Sequence, residues 1–146
     1  MERAEKEPFL RQATTHDLDL LVTMNQQLMS DEQYDRPLEL SGLKERMGRF
    51  ISEKKFGTFL FMLKEEITGY AVVEFDKTPI YLRHFFIKSE NRGKHLGTAC
   101  FKLLLKHLKT DTIDLDVMVW NTRGYGFWRS LGFRERCISM TYLSPK

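Results

Sequence analysis

A short basic segment with two glycines lies where an apolar, strand-like run gives way to a helical pattern. The apolar run ends at Ile87, and the segment contains Arg92, Gly93, Lys94 and Gly97. The first backbone N–H groups of a helix have no partner inside the helix, and the helix dipole adds partial positive charge at that end. Glycine lets the backbone approach a bulky anion closely. The segment is therefore a candidate cradle for a pyrophosphate group; the alternative is a basic turn that merely caps a helix.

Two familiar phosphate-binding loops do not match this segment. A Walker loop has four residues between a glycine and a Gly-Lys-Ser/Thr triplet, and the segment lacks that arrangement. A Rossmann fingerprint places Gly-x-Gly-x-x-Gly after the first strand and an acidic residue at the end of the second. Neither pattern is present, so the cradle is not predicted to belong to either of those nucleotide-binding folds.

Composition limits the classes of function that the chain can have. Its 146 residues predict one domain over 1–146, and 42% apolar with 29% charged residues is typical of a globular protein. A net charge of +3 suits an anion held locally and does not indicate a nucleic-acid partner. Cys100 and Cys137 match no metal or redox spacing, so both are predicted to be reduced core residues, and no metal is expected.

The expected compartment is the cytoplasm, without membrane attachment. No stretch approaches the roughly 18 apolar residues of a membrane span. The first residues, MERAEKEPFL, contain no apolar signal segment.

The apolar patterns predict the element order β-α-α-β-β-β-α-β-α-β. Thr15 is the predicted N-cap of the first helix. The order is that of a mixed sheet with helices on both faces, an α/β or α+β domain. The predicted strands cover 9–14, three stretches within 57–90 that are separated at 64–66 and 77–79, 112–120 and 133–143, and the predicted helices cover 15–29, 38–55, 98–109 and 121–132.

Two motifs carry a resemblance to a known family. RGKHLGTA resembles the acyl-CoA-binding loop of the GNAT acetyltransferases, Gln/Arg-x-x-Gly-x-Gly/Ala, with His95 where the inner glycine usually stands. NTRGYGFWRSLGF resembles the family's Asn-x-x-Ala-x-x-Phe-Tyr-x-x-x-Gly-Phe, with Gly124 in place of Ala and Trp128 in place of Tyr. The predicted element order resembles that of the family along essentially the whole chain. The mostly antiparallel GNAT-like sheet flanked by helices is therefore the expected fold.

The resemblance implies that acetyl-CoA is the co-substrate and lies in an opening between the strands at 80–87 and 113–120. Pantetheine would pair with the backbone of the first of these strands, and the pyrophosphate would rest on the amides of residues 93–98. Asn121 would orient the cofactor or a water molecule. The residues implied to contact the cofactor are Phe85, Phe86, Ile87, Arg92, Gly93, Lys94, His95, Leu96, Gly97, Thr98, Asn121, Phe127 and Trp128.

The implied reaction is direct attack of a primary amine, from a small molecule or a peptide, on the acetyl thioester. An ammonium ion is not a nucleophile, so a base or a water chain must take its proton. The family often has Glu where this chain has Tyr81, which leaves His84 and Glu74 as candidate bases. The backbone amide of Phe85 or Phe86 is expected to stabilise the developing oxyanion.

Protonation of the departing CoA thiolate is where the chain departs from the family pattern. The family's Tyr often supplies this proton, and the indole of Trp128 does not ionise usefully. Three alternatives stay open. Tyr125 on the same helix replaces the acid, or solvent protonates a thiolate whose thiol has a pKa of about 8.5. In the third, the protein is a CoA-binding sensor or regulatory module with little or no turnover.

The acceptor is predicted only in broad terms. The turn between the first two helices, MSDEQYDRP, contains Asp31, Glu32, Tyr34 and Asp35 and would overhang the acceptor side of the cleft, and Asp116 is predicted beside the cleft strand. Acidic residues there would attract a cationic amine such as a polyamine, an aminoglycoside-like sugar or a lysine side chain. Arg83 would instead suit an acidic group on the acceptor, so the two features favour opposite charges. A monomer and a homodimer are both compatible with the sequence.

Overall fold

The computed structural model describes residues 7–145 as a five-stranded sheet with four helices. Within these residues, no helix is both long and apolar enough to cross a membrane. Short 3-10 turns occupy Thr15–Asp17 and Ser89–Asn91. The strands are β1 (Phe9–Gln12), β2 (Phe56–Leu63), β3 (Glu66–Glu74), β4 (Ile80–Ile87) and β5 (Ile113–Asp114), and the helices are α1 (Leu18–Asp31), α2 (Leu40–Ser52), α3 (Leu96–Leu108) and α4 (Thr122–Ser130).

The sheet has the order β1-β2-β3-β4-β5 and is antiparallel except for its last pair. β4 and β5 are parallel and pair only through Ile80 with Ile113 and Tyr81 with Asp114. Beyond Tyr81, β4 continues to Ile87 with no strand of the described chain beside it on that edge. The predicted opening between these two strands is therefore present.

A β-bulge in β4 decides which side chains face which layer. Val72 pairs with His84 while Val73 pairs with Leu82, so Arg83 is an extra residue on β4. The extra residue changes the alternation of side chains along the strand. After it, His84 faces the layer of α1 and α2, and Phe85 faces the layer of α3 and α4.

Each face of the sheet is covered by its own hydrophobic core. On one face, Leu21 of α1 and Met47 of α2 pack near Tyr70 of β3. On the other face, Cys100 and Leu104 of α3 pack with Phe61 of β2. The helices form because their apolar residues recur at spacings of three and four residues, which places them on one side of the helix.

The start of the first helical segment differs from the prediction by one residue. Thr14 is the cap: its side-chain oxygen accepts from the His16 N–H at 3.3 Å, and the Asp17 carboxylate accepts from the Thr14 N–H at 2.8 Å. A hydrogen bond from Arg11 lowers the pKa of Asp17, although partial burial acts in the opposite direction. Thr15, the predicted N-cap, is instead the first residue after this reciprocal cap.

The C-terminal part of the chain departs most from the predicted elements. The strand predicted to end at residue 120 has only two residues in the ladder, and the strand predicted over 133–143 does not form. A strand needs a hydrogen-bonded neighbour, and neither stretch has one here. Cys100 is buried as predicted, and burial raises its pKa to about 12, but Cys137 is exposed, so its prediction as a core residue is wrong. The fold class itself is confirmed.

A pair of glycine substitutions tests how closely β3 and β4 are packed. A Cβ at Gly69 would overlap the carbonyl oxygen of Phe86 and lie 3.1 Å from the Ile87 Cα, so Gly69→Ala must push β4 away. We expect it to lower the free energy of unfolding by about 1–3 kcal/mol. Gly48→Ala in α2 has open space around the new Cβ and is expected to raise it by about 0.5–1 kcal/mol. Urea denaturation measures both; an unaffected Gly69→Ala variant would show that β4 adjusts freely.

Candidate active site

A cleft of about 470 Å³ lies between β4 and the chain that follows β5. Its walls come from β4, from the segment between β4 and α3, from α4 and from the end of α1. The cleft brings together most of the predicted site residues. Those that line it are Asp31, Arg83, Phe85, Phe86, Ile87, Arg92, Gly93, His95, Gly97, Thr98, Asn121, Phe127 and Trp128.

Other predicted site residues lie outside the lining. Lys94 is exposed, and Leu96 is buried in the core beneath α3. The remaining members of this group are His84, Glu74, Tyr125, Tyr34 and Asp35. The structure therefore brings the predicted cofactor residues together and leaves most of the predicted catalytic and acceptor residues apart.

The segment before α3 presents a run of unpaired backbone donors. No described residue accepts a hydrogen bond from the N–H groups of residues 93–98. The first bond at this end joins the Ala99 N–H to the His95 carbonyl at 3.1 Å, and no side chain caps the helix. Gly93 has a φ of 79° and His95 a φ of 59°, so the chain twice takes the left-handed conformation. Six consecutive donors without a partner at a helix N-terminus are the arrangement that was predicted for a pyrophosphate cradle.

Gly97 allows α4 to approach the start of α3. A Cβ at this position would lie 3.3 Å from the Phe127 ring, tighter than most real contacts. Phe127 in turn lies 6.0 Å from Phe85 of β4, ring centre to ring centre, in a stacked arrangement. Because Gly97 has no side chain, the backbone at the start of α3 stays accessible and Phe127 can stack on Phe85.

Trp128, which stands where the family motif has Tyr, packs in an aromatic cluster. Its ring lies 5.2 Å from Phe85, 5.5 Å from Phe101 and 5.2 Å from Phe133. The indole thus occupies the space between the sheet, α3 and the end of α4. The side chain forms an apolar part of the cleft wall.

Asn121 is the N-cap of α4 and also lines the cleft. Its side-chain oxygen accepts from the Gly124 N–H at 3.0 Å. A Cβ at residue 124 would lie 2.5 Å from the Asn121 Nδ2, so glycine, rather than the family's alanine, suits this cap geometry. The cap fixes the Asn121 amide group at the start of α4, in the same cleft as the unpaired donors at the start of α3.

Arg92 is held in place, in contrast to the mobile cation that the sequence suggested. Its Nε donates to the Ile87 carbonyl at 2.7 Å, and its NH2 donates to Asp31 at 2.6 Å. Its guanidinium also lies 5.3 Å from the centre of the Phe86 ring. Burial raises the pKa of Asp31, but hydrogen bonds from Arg92 and Gln27 outweigh it, so the net shift is downward. Arg92 thus links the end of α1 to the end of β4.

Two carboxylates that line the cleft, Glu32 and Asp116, form no ion pair with a described residue. Glu32 makes no side-chain hydrogen bond there, and burial together with the charge of Asp31 raises its pKa. Asp116 accepts from the Tyr81 hydroxyl at 2.7 Å, and burial, then this bond, raise the pKa of Tyr81. The Trp120 indole N–H donates to the Glu32 carbonyl at 3.0 Å and so ties the α1–α2 turn to the chain after β5.

The two predicted bases, His84 and Glu74, do not line the cleft and are bonded to other side chains. His84 Nδ1 lies 3.0 Å from the Tyr70 hydroxyl and 3.5 Å from Asn25, and burial lowers its pKa to about 3. Glu74 is buried and forms an ion pair with Arg83. Arg83 is therefore already neutralised where it lines the cleft.

Tyr125 points away from the cleft. It is half-exposed, and its hydroxyl donates to Glu135 at 3.0 Å. Its role as the acid stays a prediction that the geometry does not favour.

Several lining residues escaped the sequence reasoning. Leu28 is the last apolar residue at helical spacing in α1, so the helical pattern could have placed it at the cleft. Arg123 lies within the second motif, so its position in the sequence could have indicated it. The residues around Leu82 and Leu115 do not indicate that these side chains line the cleft, because the cleft forms only where β4 and β5 separate in the folded sheet. Glu32 and Asp116, which the sequence marked only by their charge, also line the cleft, as do Gly124 and Ser130. Within residues 7–145, no cluster of three or more His, Cys, Asp or Glu could hold a metal ion.

Comparison with known proteins agrees with this geometry. The model of the acetyltransferase (GNAT) family matches residues 21–133. A possible acetyltransferase from Clostridium difficile 630 has a similar fold, with a TM-score of 0.75, 16% identity, and 97% of this chain and 99% of that chain covered. The search of curated proteins gave no significant match.

Two similar structures contain coenzyme A. The aminoglycoside N-acetyltransferase AAC(6')-Iy in complex with CoA has a TM-score of 0.71 and 15% identity, with 94% of this chain and 95% of that chain covered. The PaiA N-acetyltransferase from Thermoplasma acidophilum, in complex with coenzyme A, has a TM-score of 0.72 and 15% identity, with 91% and 93% covered. These likenesses concern the fold, while the family match covers most of the chain and its two motifs. The chain belongs to the GNAT acetyltransferase family.

Proposed function

We propose that this protein is an N-acetyltransferase that moves an acetyl group from acetyl-CoA to a cationic primary amine. One observation supports the proposal above all: the unpaired N–H groups of residues 93–98 lie beside a cleft between two parted strands. A diphosphate is the kind of anion that such a row of donors and a helix dipole would hold. Similar structures contain CoA, which favours its acetyl thioester, acetyl-CoA, as the acyl donor.

The cleft residues fit the parts of CoA. The free backbone edge of β4 from residue 82 to 87 offers hydrogen bonds to the amides of pantetheine, as an added strand would. Phe85, Phe127 and Trp128 provide apolar contacts along that path. When bound, acetyl-CoA supplies the activated acetyl group as a thioester. A backbone N–H of Phe85 or Phe86 stabilises charge on the thioester oxygen as the amine attacks.

The charges of the cleft favour a cationic acceptor. Arg83 is paired with Glu74 and Arg92 with Asp31, so these two cations have partners already. Glu32 and Asp116 also line the cleft and have no cationic partner among the described residues. Arg123 also lines the cleft and forms no ion pair with a described residue, so the unpaired charges of the lining are two carboxylates and one guanidinium. This excess of negative charge supports an acceptor amine with positive charge. The aminoglycoside substrate named for one similar structure belongs to the same chemical class.

Glu32 is the group that we assign to the incoming ammonium. Its carboxylate attracts the cation, and its raised pKa makes it a stronger base than an ordinary exposed glutamate. Loss of a proton from the ammonium leaves the neutral amine, whose lone pair attacks the thioester carbon. Water at the open side of the cleft then protonates the CoA thiolate, because no acidic side chain faces that position from α4 in the described chain.

Release of thiol from acetyl-CoA tests the proposed function directly. The protein is incubated with acetyl-CoA and a panel of polyamines, aminoglycosides and lysine peptides, and free CoA is measured with a thiol reagent. We expect release with at least one cationic amine and none with matched neutral alcohols. Tight binding of CoA without release for any amine would favour a CoA-binding regulatory module instead, which is the alternative suggested by the absent acid at Trp128.

Substitution of Gly97 tests the anion site. Gly97→Glu adds a carboxylate beside the unpaired donors, and we expect it to abolish measurable CoA binding in calorimetry. Gly97→Ala adds only the Cβ near Phe127, so its smaller effect separates crowding from charge. Gly48→Glu adds the same charge on α2, where a new Cβ has open space, and is expected to bind CoA normally. Unchanged affinity in Gly97→Glu would reject the phosphate assignment.

Glu32→Gln removes the proposed acceptor charge while it keeps the shape of the side chain. We expect the KM for a cationic amine to rise roughly tenfold or more, as for loss of a charged hydrogen bond, with the affinity for CoA unchanged. In the unsubstituted protein, KM should rise as the pH falls through the raised pKa of Glu32, because protonation removes the charge. That step should be absent from Glu32→Gln. Glu39→Gln at the exposed start of α2 is the control, and an equal effect there would contradict the assignment.

A pair of tyrosine substitutions tests the proton source and the acceptor wall. Tyr125→Phe removes a hydroxyl that bonds to Glu135 outside the cleft, so we expect kcat within about twofold of the original and an unaltered pH–rate profile. Tyr81→Phe removes the bond to Asp116 and is expected to raise the KM for the amine several-fold. A large loss of kcat in Tyr125→Phe, with a shifted alkaline limb, would identify Tyr125 as the acid after all.

A further inference from the structure

A half-buried arginine on α2 has no anionic partner in the described chain. Arg46 forms no ion pair with a described residue, and its Nε is buried without a hydrogen-bond partner there. Its guanidinium makes one hydrogen bond to a described residue, from NH2 to the Asn25 Oδ1 at 2.8 Å. Burial, together with the charge of Arg83, lowers the pKa of Arg46. Because a desolvated charge without a counter-ion is costly, an anion is expected beside Arg46.

A chain of hydrogen bonds runs from Arg46 through the core to β4. Arginine only donates, so the oxygen of the Asn25 amide faces Arg46, and the amide nitrogen donates to the Tyr70 hydroxyl at 3.1 Å. That hydroxyl lies 3.0 Å from the His84 Nδ1 and donates its own hydrogen to it. Burial lowers the pKa of His84 to about 3, so the ring is neutral. A neutral ring that accepts at Nδ1 has its proton on Nε2.

Both ends of this chain present hydrogen-bond donors beside the ring of Phe50. The guanidinium carbon of Arg46 lies 5.9 Å from the centre of that ring, and the His84 ring lies 5.5 Å from it. No described residue accepts from the His84 Nε2 or from the Arg46 Nε and NH1. Arg83 lies 5.4 Å from the same centre and is neutralised by Glu74. Arg46, His84 and Arg83, called here the Phe50 donor cluster, therefore carry one uncompensated positive charge.

The Phe50 donor cluster adjoins the cleft at Arg83. Arg83 lines the cleft two residues before Phe85, one of the two residues whose N–H is proposed to stabilise the oxyanion. Two residues of a strand span roughly 7 Å. Burial and, to a smaller extent, the charge of Glu32 raise the pKa of Tyr70, so Glu32 lies within electrostatic reach of the hydrogen-bonded chain. The cluster is therefore near both the reacting atoms and the carboxylate assigned to the ammonium.

A carboxylate is the ligand that suits the Phe50 donor cluster. It only accepts hydrogen bonds, and its two oxygens match the fork of a guanidinium. A cation would be repelled by Arg46, and a neutral hydroxyl would leave the charge of Arg46 uncompensated. One uncompensated positive charge also matches one carboxylate better than a doubly charged phosphate. The acceptor side thus has an acidic part at Glu32 and Asp116 and a basic part at the cluster.

We propose that the acceptor carries a carboxylate in addition to its amine, and that the Phe50 donor cluster binds this carboxylate. The proposal rests on the proposed acetyltransferase function and narrows its acceptor to amino-acid-like amines, of which the diamino acids keep a net positive charge. The ammonium lies at Glu32, while the carboxylate accepts from Arg46 and from the His84 Nε2–H. His84 therefore binds the acceptor, in contrast to the role of base that the sequence suggested.

Pairs of amines that differ only by a carboxylate test this proposal. Lysine is compared with cadaverine, and ornithine with putrescine, for thiol release from acetyl-CoA and for binding to the CoA-loaded protein by calorimetry. We expect at least one amino acid to exceed its diamine about tenfold or more in kcat/KM or affinity, as for a charged hydrogen bond. Turnover of the diamines with no preference for either amino acid would overturn the proposal and leave the proposed function intact. Absence of turnover with every amine would count against the proposed function, and calorimetry would then decide the preference.

Substitutions on α2 separate the Phe50 donor cluster from general effects of charge. Arg46→Gln is expected to remove the preference for the amino acid over its diamine. Arg46→Lys keeps the charge without the fork and is expected to retain part of the preference. Arg49→Gln removes an exposed guanidinium from the same helix and is expected to retain all of it. A preference that survives Arg46→Gln, or that is lost equally in Arg49→Gln, would overturn the proposal.

A measurement on the unsubstituted protein accompanies these variants, because Arg46→Gln leaves the buried Asn25 oxygen without its donor. In NMR spectra of nitrogen-labelled protein, sodium acetate should shift the signals of the Arg46 Nε–H and the His84 Nε2–H. Sodium chloride at equal ionic strength is the control. Shifts no larger than those caused by chloride, or a His84 ring with its proton on Nδ1, would overturn the proposal.

Discussion

The early parting of β4 and β5 is the constraint on which the remainder of this molecule depends. Two residue pairs join the strands, and the bulge at Arg83 follows immediately on β4. A sheet that stayed paired to its end would bury the backbone of β4 and leave no opening. Because it does not, the free edge of β4 ends close to the unpaired donors at the start of α3. One irregularity in the sheet thus brings two sets of backbone polar groups into a single cleft.

The proposed anion site depends on backbone N–H groups, and hence on the path of the chain, more than on cationic side chains. Arg92 is committed to Asp31 and to the Ile87 carbonyl, and Lys94 is exposed outside the lining. His95 takes a φ of 59°, the conformation that glycine favours, so the segment keeps its path without the inner glycine of the family motif. A left-handed residue other than glycine costs about 1–2 kcal/mol. The fold accepts this cost at the point where the donors must face outward.

The parts of the fold that sequence reasoning predicted are those set by neighbouring residues. The three central strands and the helices around 18–52 and 96–108 follow from local periodicity, and the two motifs mark the start of α3 and the cap at Asn121. What it missed depends on contacts between distant residues: Arg92 with Asp31, 61 positions apart, or the indole of Trp120 with the α1–α2 turn. The direction of Tyr125 depends on where α4 packs, which its own sequence does not determine. A strand over 133–143 was predicted from alternation alone, and alternation carries no information about the neighbour that a strand requires.

The two walls of the cleft are supported in different ways, and this difference bears on their functions. The β4 wall has β3 on one side and the aromatic cluster of Phe85 and Trp128 beneath it, so its position is fixed by the core. The wall after β5 is held by side-chain bonds: Tyr81 to Asp116 and Trp120 to the Glu32 carbonyl. Regions with few buried contacts open at lower free energy than the core does. In the proposed reaction, a donor along β4 would meet a preorganised surface, whereas the acceptor would meet a wall whose geometry depends on a few polar contacts.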